Sequence, residues 1–155
     1  MRLEHGQAAP PFTAHDEEGN EVSLDDFAGD HLVMYFYPAA FTPGCTTESC
    51  DFRDRYESFE AAGYQILGIS PDTPDKLKDF RREYDLPFHL ISDPDHVVAD
   101  AYGAWGTKTN YGKEYEGIIR STISIDAEGN VLNAWYNVKA KGHAERVASE
   151  ILASA

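Results

Sequence analysis

Short apolar runs alternate with amphipathic stretches along the chain, and this alternation predicts the secondary structure. Five runs are rich in β-branched and aromatic residues and end at turn residues, as strands do; they span residues 31–37, 64–70, 88–92, 121–126 and 131–137. Four stretches carry apolar residues at helical spacing; they span residues 43–62, 73–84, 96–102 and 142–153. This order predicts an α/β fold with a mixed sheet and helices on both faces.

Glycine-containing segments mark the turns and one longer connection. DEEGN (16–20) and DAEGN (126–130) predict hairpin turns, and the second joins the strands predicted at 121–126 and 131–137. Residues 103–120 contain four glycines and three aromatic residues without clear periodicity. We therefore expect a long ordered loop there, and such loops are often functional. The order of elements is compatible with a thioredoxin-like fold.

Length and composition indicate a globular protein that needs no covalent staples. A chain of 155 residues with 42% hydrophobic residues can bury a full core, and we expect one domain over residues 1–155. Thirteen Lys and Arg against 27 Asp and Glu give a formal charge of -14. That charge would repel a nucleic acid or an anionic membrane surface, so we expect neither as a partner. The acidity fits a halophilic source or solubility alone, and charge does not separate these two readings.

The sequence carries no clear signal for secretion, membrane insertion or metal binding. The chain has no run of about 18 apolar residues, and MRLEHGQAAPPF lacks the apolar centre of a signal peptide. We therefore expect a cytoplasmic protein. The six histidines show no metal-ligand spacing, and two cysteines five positions apart are not a zinc pair. We predict no metal and no cofactor.

Both cysteines, Cys45 and Cys50, fall in the helix predicted at 43–62. Thr42 and Pro43 form a strong helix start, because threonine can cap free N–H groups and proline suits the first helical position. Cys45 then lies in the first turn, where unpaired N–H groups and the helix dipole favour a thiolate. Helical geometry turns Cys45 toward the core and Cys50 outward, roughly 140° away.

The helix also keeps the two thiols apart. Its rise and radius place the α-carbons of Cys45 and Cys50 roughly 8.7 Å apart, beyond the limit of about 7 Å for a disulfide without backbone movement. A disulfide between them would require the first turns to unwind. The residues alone leave two readings open, a reactive Cys45 or two inert buried thiols. A static structural disulfide is disfavoured without a secretion signal.

The segment YPAAFTPGCTTESC (37–50) resembles the active-site signature of the peroxiredoxins, the thiol peroxidases. The signature residues are Pro38, Thr42 and Cys45 in that spacing. The second cysteine and the downstream segment WGTKTNYGKEYEGIIRST are similar to the bacterioferritin-comigratory or peroxiredoxin Q subfamily. The similarity runs over residues 6–152, with small departures such as Ala39, where the family often has lysine.

The resemblance implies a thioredoxin-like fold and a redox reaction of the two cysteines. Cys45 would be the peroxidatic cysteine, which reduces hydrogen peroxide and organic hydroperoxides. Cys50 would be the resolving cysteine, which forms an intramolecular disulfide with Cys45. A thioredoxin-type reductant would reduce that disulfide, and the subfamily favours a monomer. The family's arginine corresponds to Arg120, which would reach the thiolate.

The same resemblance implies supporting roles for three further residues. The Thr42 hydroxyl would bind the hydroperoxide together with Arg120, and the backbone N–H groups of Gly44 and Cys45 are further donors that could bind its oxygens. Pro38 would shield the pocket from water, and Glu48 would orient the arginine. Each has a simpler reading: Thr42 as a helix cap, Pro38 as a strand end, and Glu48 as a charge that opposes a thiolate. Arg120 by itself would pass for a surface arginine.

Two other functions make predictions that differ from those of a peroxidase. A disulfide oxidoreductase or redox chaperone on the same fold is disfavoured because the chain lacks a Cys-x-x-Cys pair. A non-catalytic interaction module with incidental cysteines predicts that Cys45→Ser leaves the biological activity unchanged and that peroxide consumes no reductant. The length and order of the matched motifs favour the peroxidase.

Overall fold

The computed structural model describes residues 2–152. Its strands are β1 Thr13–Asp16, β2 Glu21–Ser23, β3 His31–Phe36, β4 Tyr64–Ser70, β5 His89–Ser92, β6 Trp105–Asn110, β7 Lys113–Ile118, β8 Ser121–Ile125 and β9 Val131–Trp135. Its helices are α1 Pro43–Asp54, α2 Tyr56–Ala61, α3 Pro74–Glu83, α4 Val97–Ala101 and α5 His143–Leu152, with a short 3-10 helix at Leu24–Phe27.

Seven of these strands form a single mixed sheet in the order β2-β1-β5-β4-β3-β8-β9. The three central strands β3, β4 and β5 run parallel to one another. Their neighbours β8 and β1 run antiparallel to them, and β2 and β9 close the two edges in antiparallel pairing. The predicted thioredoxin-like α/β fold with a mixed central sheet is confirmed.

Strand β3 shows why the sheet lies at the centre of the core. Its side chains alternate between the two faces, as any strand's do, and both sets are buried. Val33 and Tyr35 pack into the cluster that α1, α3 and α5 cover. Met34 and Phe36 pack into a second cluster on the opposite face, with α4. A central strand buried on both faces reads as a continuous apolar run, which is the pattern of HLVMYFY.

The expected long loop at 103–120 is wrong, because β6 and β7 form an antiparallel hairpin there. Tyr111 and Gly112 make its two-residue turn with φ values of 52° and 78°. Two consecutive positive φ angles are the mark of a type I′ hairpin turn, which usually contains Asn-Gly or Asp-Gly. A tyrosine in the first turn position does not give that signal. Most of β7 is exposed on both faces, so no apolar alternation marked the strand either.

The other elements match the predictions with shifted ends. The helix predicted at 43–62 is two helices, α1 and α2, because the backbone of Arg55 leaves helical geometry at φ -108° and ψ 4°. The predicted turn at 126–130 joins β8 to β9, with Asp126 N bonded to Asn130 O at 2.8 Å. Residue 153, the predicted end of the last helix, lies outside the described residues.

Two strands near the start of the chain were not predicted. DEEGN is indeed a hairpin turn, and it joins the short strands β1 and β2. β2 has only three residues and none of them is fully buried, so its sequence carries no apolar pattern. Within residues 2–152, no helix has the length and apolar character needed to cross a membrane.

Candidate active site

A loop over residues 37–42 connects β3 to α1 and leads the chain into the site. Asp72, in the connection after β4, accepts a hydrogen bond from Ala40 N at 2.7 Å. Phe41 has a φ of 67°, which is rare for a bulky side chain. Its half-exposed ring packs on Phe80 of α3 at a centroid distance of 5.1 Å. Contacts from two other elements therefore fix the loop that sets the start of α1.

Cys45 lies in the first turn of α1 and is buried, with 1% of its surface exposed. Pro43 occupies the first helical position, as predicted. The first backbone hydrogen bond of the helix runs from Thr46 N to Thr42 O at 2.9 Å. The N–H groups of Gly44 and Cys45 precede it and have no partner inside the helix. These groups lie at the positive end of the helix dipole, which favours negative charge on the sulfur.

Arg120 directly precedes β8, and its guanidinium contacts two acidic groups of α1. Its Nη2 donates to Cys45 Sγ at 3.2 Å, and its Nη1 donates to Glu48 Oε1 at 2.5 Å. Burial works against the charge of Arg120, but Glu48 and Cys45 outweigh it, so the pKa of Arg120 is raised. A Cβ atom on Gly44 would lie 3.5 Å from Arg120 Nη2, so the guanidinium also lies against the helix N-terminus.

Glu48 is a buried carboxyl group on the core side of α1, with none of its surface exposed. Burial raises its pKa from the usual 4.5 to about 7, although the positive charge of Arg120 acts in the opposite direction. Its Oε2 atom has no hydrogen-bond partner among the residues that the structure describes. Near neutral pH this group therefore exists in both protonation states.

Thr42 and Pro38 lie in the loop before α1. Thr42 is the N-cap residue, but its side chain accepts no hydrogen bond from the helix. Its hydroxyl instead donates to Ala39 O at 2.7 Å. The expectation that the Thr42 side chain caps the helix is therefore wrong, and the oxygen keeps its capacity to accept a hydrogen bond. Thr42 is exposed and Pro38 is half-buried.

Cys50 lies on the other side of α1 from Cys45 and is half-buried, as the helical geometry predicts. Both cysteines are free thiols. Burial raises the pKa of Cys50; Arg53 lowers it, and Asp54 and Asp51 raise it further. The second thiol is thus held as a neutral, outward-facing group.

One charged residue of the hairpin of β6 and β7 was not identified from the sequence. Lys108 of β6 is half-buried; burial lowers the pKa of its ammonium group and the charge of Arg120 lowers it further, whereas Cys45 raises it. Sequence reasoning missed it because its strand was taken for a loop. A strand assignment would have placed Lys108 on the same face of the hairpin as Gly106, two positions before it.

A second cluster of acidic residues and histidine lies at the β1–β5 side of the sheet. Asp16, Glu17 and His89 bring ligand-type atoms within 4.8 Å of one another, although the histidine spacing gave no sign of it. His89 Nδ1 lies 2.9 Å from Glu17 Oε1, and Arg81 Nη1 lies 3.4 Å from the same oxygen. Glu17 Oε1 also accepts from Leu90 N. These contacts make the cluster an ion-pair network in which an arginine already balances the buried Glu17.

The chain is similar to known proteins over most of its length. The sequence pattern of the AhpC/TSA family matches residues 5–134. The chain is 47% identical over 143 residues to peroxiredoxin Bcp of Bacillus subtilis. That match covers 92% of this chain and 91% of the Bacillus protein.

Solved structures give the same result. A mutant of Xanthomonas campestris peroxiredoxin Q superposes with a TM-score of 0.88 and 39% identity, over 93% of this chain and 92% of that one. The bacterioferritin comigratory protein of Xanthomonas campestris, to which alkyl peroxide reduction activity is attributed, superposes with a TM-score of 0.86 and 38% identity. That match covers 92% of this chain and 90% of the other.

Proposed function

The chain belongs to the AhpC/TSA family and is a peroxiredoxin, a thiol peroxidase, and on that premise we propose that Cys45 is its peroxidatic cysteine. The observation that carries the proposal is the contact of Arg120 Nη2 with Cys45 Sγ at 3.2 Å. A buried thiol at a helix N-terminus, paired with a guanidinium, is an environment that stabilises a thiolate. The proposed substrates are hydrogen peroxide and organic hydroperoxides.

In the proposed first step, the Cys45 thiolate attacks one oxygen of the hydroperoxide. The S–O bond forms as the O–O bond breaks, the sulfur is oxidised to sulfenic acid, and water or an alcohol leaves after taking up a proton. A stable thiolate is a weaker nucleophile, so the site must also stabilise charge on the leaving oxygen. Arg120 and the free N–H groups of Gly44 and Cys45 are donors suited to that task.

The Thr42 hydroxyl would take part as an acceptor. Its hydrogen is engaged with Ala39 O, so its oxygen is available to the O–H of the hydroperoxide. That hydrogen bond would hold the oxygen that carries the hydrogen toward the sulfur, since attack on this oxygen is the one that releases water or an alcohol. We assign Pro38 to shielding the pocket from water, a role that its half-buried position in the same loop allows.

Glu48 is proposed to orient Arg120 rather than to react. The Nη1 donor is committed to Glu48 Oε1, which leaves Nη2 directed at the sulfur. The fixed planar fork of guanidinium makes such a division of donors effective. A rotated guanidinium would lose both contacts at once.

In the proposed second step, the Cys50 thiol attacks the sulfenic acid of Cys45, the S–S bond forms and water leaves. Cys45 is buried and Cys50 faces outward on the same helix, so the first turns of α1 must unwind for the sulfurs to meet. A thioredoxin-type dithiol would then reduce the disulfide by exchange. No second subunit is needed, and the proposal is of a monomeric enzyme in the cytoplasm.

The test is the intact mass of the reduced protein after one equivalent of hydrogen peroxide, with and without an alkylating reagent. We expect the loss of two hydrogens, no alkylation and no dimer, because both thiols end in one intramolecular disulfide. If the reagent still alkylates both thiols after peroxide, the peroxidase assignment of this pair is overturned. A disulfide-linked dimer would overturn the intramolecular route and leave the first step standing.

Cys45→Ser and Cys50→Ser serve as matched variants in the same experiment. Cys50→Ser should still consume one equivalent of peroxide, whereas Cys45→Ser should consume none beyond the protein-free control. Equal consumption by both variants would contradict the assignment of distinct roles. Disulfide exchange retained by Cys45→Ser would instead favour an oxidoreductase.

A further inference from the structure

The hairpin of β6 and β7 presents one face to the segment that carries Arg120. Lys108 pairs directly with Tyr115, and Gly106 pairs with Gly117. Directly opposed residues and residues two apart share a face of an antiparallel pair, so these four side-chain positions form one surface. A Cβ atom on Gly106 would lie 3.1 Å from the Cδ1 of Ile119. This surface is therefore packed against the residue next to Arg120.

The glycine opposite Gly106 makes room for the lysine stem. A Cβ atom on Gly117 would lie 3.3 Å from Lys108 Cδ, closer than an undisturbed stem would allow. The stem of Lys108 thus lies over a backbone that has no side chain, and its Nζ lies 5.9 Å from the centroid of the Tyr115 ring. The lysine is half-buried rather than extended into solvent.

The charged groups that act on Lys108 favour an interaction of its ammonium group with Cys45. No carboxylate within residues 2–152 forms an ion pair with it, in a chain whose formal charge is -14. Burial lowers its pKa, Arg120 lowers it further, and negative charge on Cys45 raises it. Two cations brought together repel each other, so their proximity is favourable only when an anion lies near both.

We propose that Lys108 is a second cation for the Cys45 thiolate and stabilises it through space beside Arg120. This inference rests on the proposed role of Cys45. Within residues 2–152, Arg120, Tyr35 and Tyr37 also act on Cys45, and Glu48 acts through its contact with Arg120. Of these, only Arg120 is cationic, and it divides its donors with Glu48. Lys108 pairs with no carboxylate in the part of the chain that the structure describes, so its charge supplements the Arg120 charge that Glu48 draws away.

The test compares the pH profile of Cys45 alkylation by iodoacetamide in variants of the Cys50→Ser protein, in which Cys45 is the remaining thiol. Lys108→Met removes the charge and keeps most of the stem. We expect it to move the profile midpoint upward by about 0.5 unit, as loss of one nearby charge should. Well below the midpoint the rate then falls about threefold, while well above it the rate is unchanged.

Two further variants separate charge from structure. Lys108→Arg should restore the midpoint, because the charge returns. Lys113→Met removes the same charge from an exposed position on the same hairpin and should leave the midpoint in place. An unchanged midpoint in Lys108→Met, an equal shift in Lys113→Met, or no rescue by Lys108→Arg would each overturn the inference.

Peroxide consumption by the wild-type protein is measured in parallel. Protein that alkylates with the expected profiles but consumes no peroxide would overturn the proposed function and leave the role of Lys108 intact. Protein that consumes peroxide while Lys108→Met alkylates like wild type would overturn the inference alone.

Discussion

Arg120 contacts two acidic groups that compete for its charge. Cys45 and Glu48 are three residues apart on α1, so an ionised Glu48 would oppose a thiolate at Cys45. The structure resolves this conflict with one guanidinium that donates to both. Because the pKa of Glu48 is raised to about 7, the carboxyl is neutral below that pH and then leaves more of the Arg120 charge to the sulfur.

Replacement of Arg120 by alanine tests the reactive role of that side chain. We expect the second-order rate with hydrogen peroxide to fall by about 100-fold or more, as for loss of a donor that stabilises developing charge. The free energy of unfolding should fall by only about 1 kcal/mol, because Glu48 can take up a proton once its cation is gone.

Rapid-mixing fluorescence gives the rate and urea denaturation gives the stability in the Arg120→Ala experiment. Arg146→Ala is the control, because that arginine is largely exposed on α5. An Arg120→Ala protein that unfolds readily but keeps its rate when folded would contradict the assigned role.

Glu48→Gln tests the buried carboxyl through the pH dependence of stability. The native state holds the Glu48 proton up to about pH 7, whereas the unfolded chain releases it near its usual pKa. The native state therefore binds more protons than the unfolded chain between these two pH values. The contribution of the Glu48 proton to the free energy of unfolding is complete at low pH and is lost as the pH rises toward 7. Between pH 5 and 8 the wild type should lose on the order of 2 to 3 kcal/mol relative to Glu48→Gln.

The free energy of unfolding in urea, measured across that pH range, decides the Glu48 prediction. Other titrating groups are common to both proteins and cancel in the difference. Parallel curves for wild type and Glu48→Gln would show that Glu48 has an ordinary pKa in the folded protein.

The sequence identified Cys45, Thr42 and Arg120 as candidate site residues, but it did not predict which atoms they contact. Cys45 at a helix start follows from Thr-Pro spacing alone, which is local chemistry. Its contact with Arg120 joins residues 75 positions apart, and only the resemblance predicted it. Lys108 was missed because no local signal marks a lysine whose neighbours are fixed by strand pairing.

At the scale of elements, α1 is held at its two ends by different means. Its N-terminus is held by loop 37–42 and by the contact of Arg120 with Cys45, while Phe52 packs deep in the core near its C-terminus. In the proposed mechanism, oxidation of Cys45 would remove the thiolate charge that pairs with Arg120. The N-terminal turns would then be the part of α1 that unwinds while Phe52 stays in place.

Cys50→Ser tests this unwinding through the fate of oxidised Cys45. Without a second thiol the sulfenic acid cannot form the disulfide, so it persists and is oxidised further to sulfinic acid. After excess peroxide, mass spectra should show more protein with two added oxygens than the wild type gives. Equal amounts of that product in both proteins would contradict the resolving role of Cys50.

The elements differ in how readily the sequence predicts them. β3 and β4 are buried on both faces, so their apolar runs are unmistakable. β6 and β7 form a separate two-stranded sheet, with a turn that starts at an exposed Tyr111. Local pattern identifies strands by what they bury, and a hairpin that buries little gives almost no signal.

At the scale of the whole molecule, the surplus of 27 acidic over 13 basic residues acts on stability. Repulsion among like charges destabilises the compact state, and salt shortens its range from about 30 Å at 0.01 M to about 8 Å at 0.15 M. The free energy of unfolding should therefore rise by about 1 kcal/mol between 0.01 and 0.5 M NaCl. Urea is the appropriate denaturant because guanidinium chloride is itself a salt.

The shape of that salt dependence separates the two readings of the acidity. If the charge serves solubility alone, most of the gain occurs below about 0.15 M, where screening of long-range repulsion is nearly complete. A halophilic protein would continue to gain stability into the molar range. Stability that stays flat or falls as NaCl is added would contradict the repulsion itself, since it would mean that the 13 basic residues are placed well enough to cancel the acidic excess.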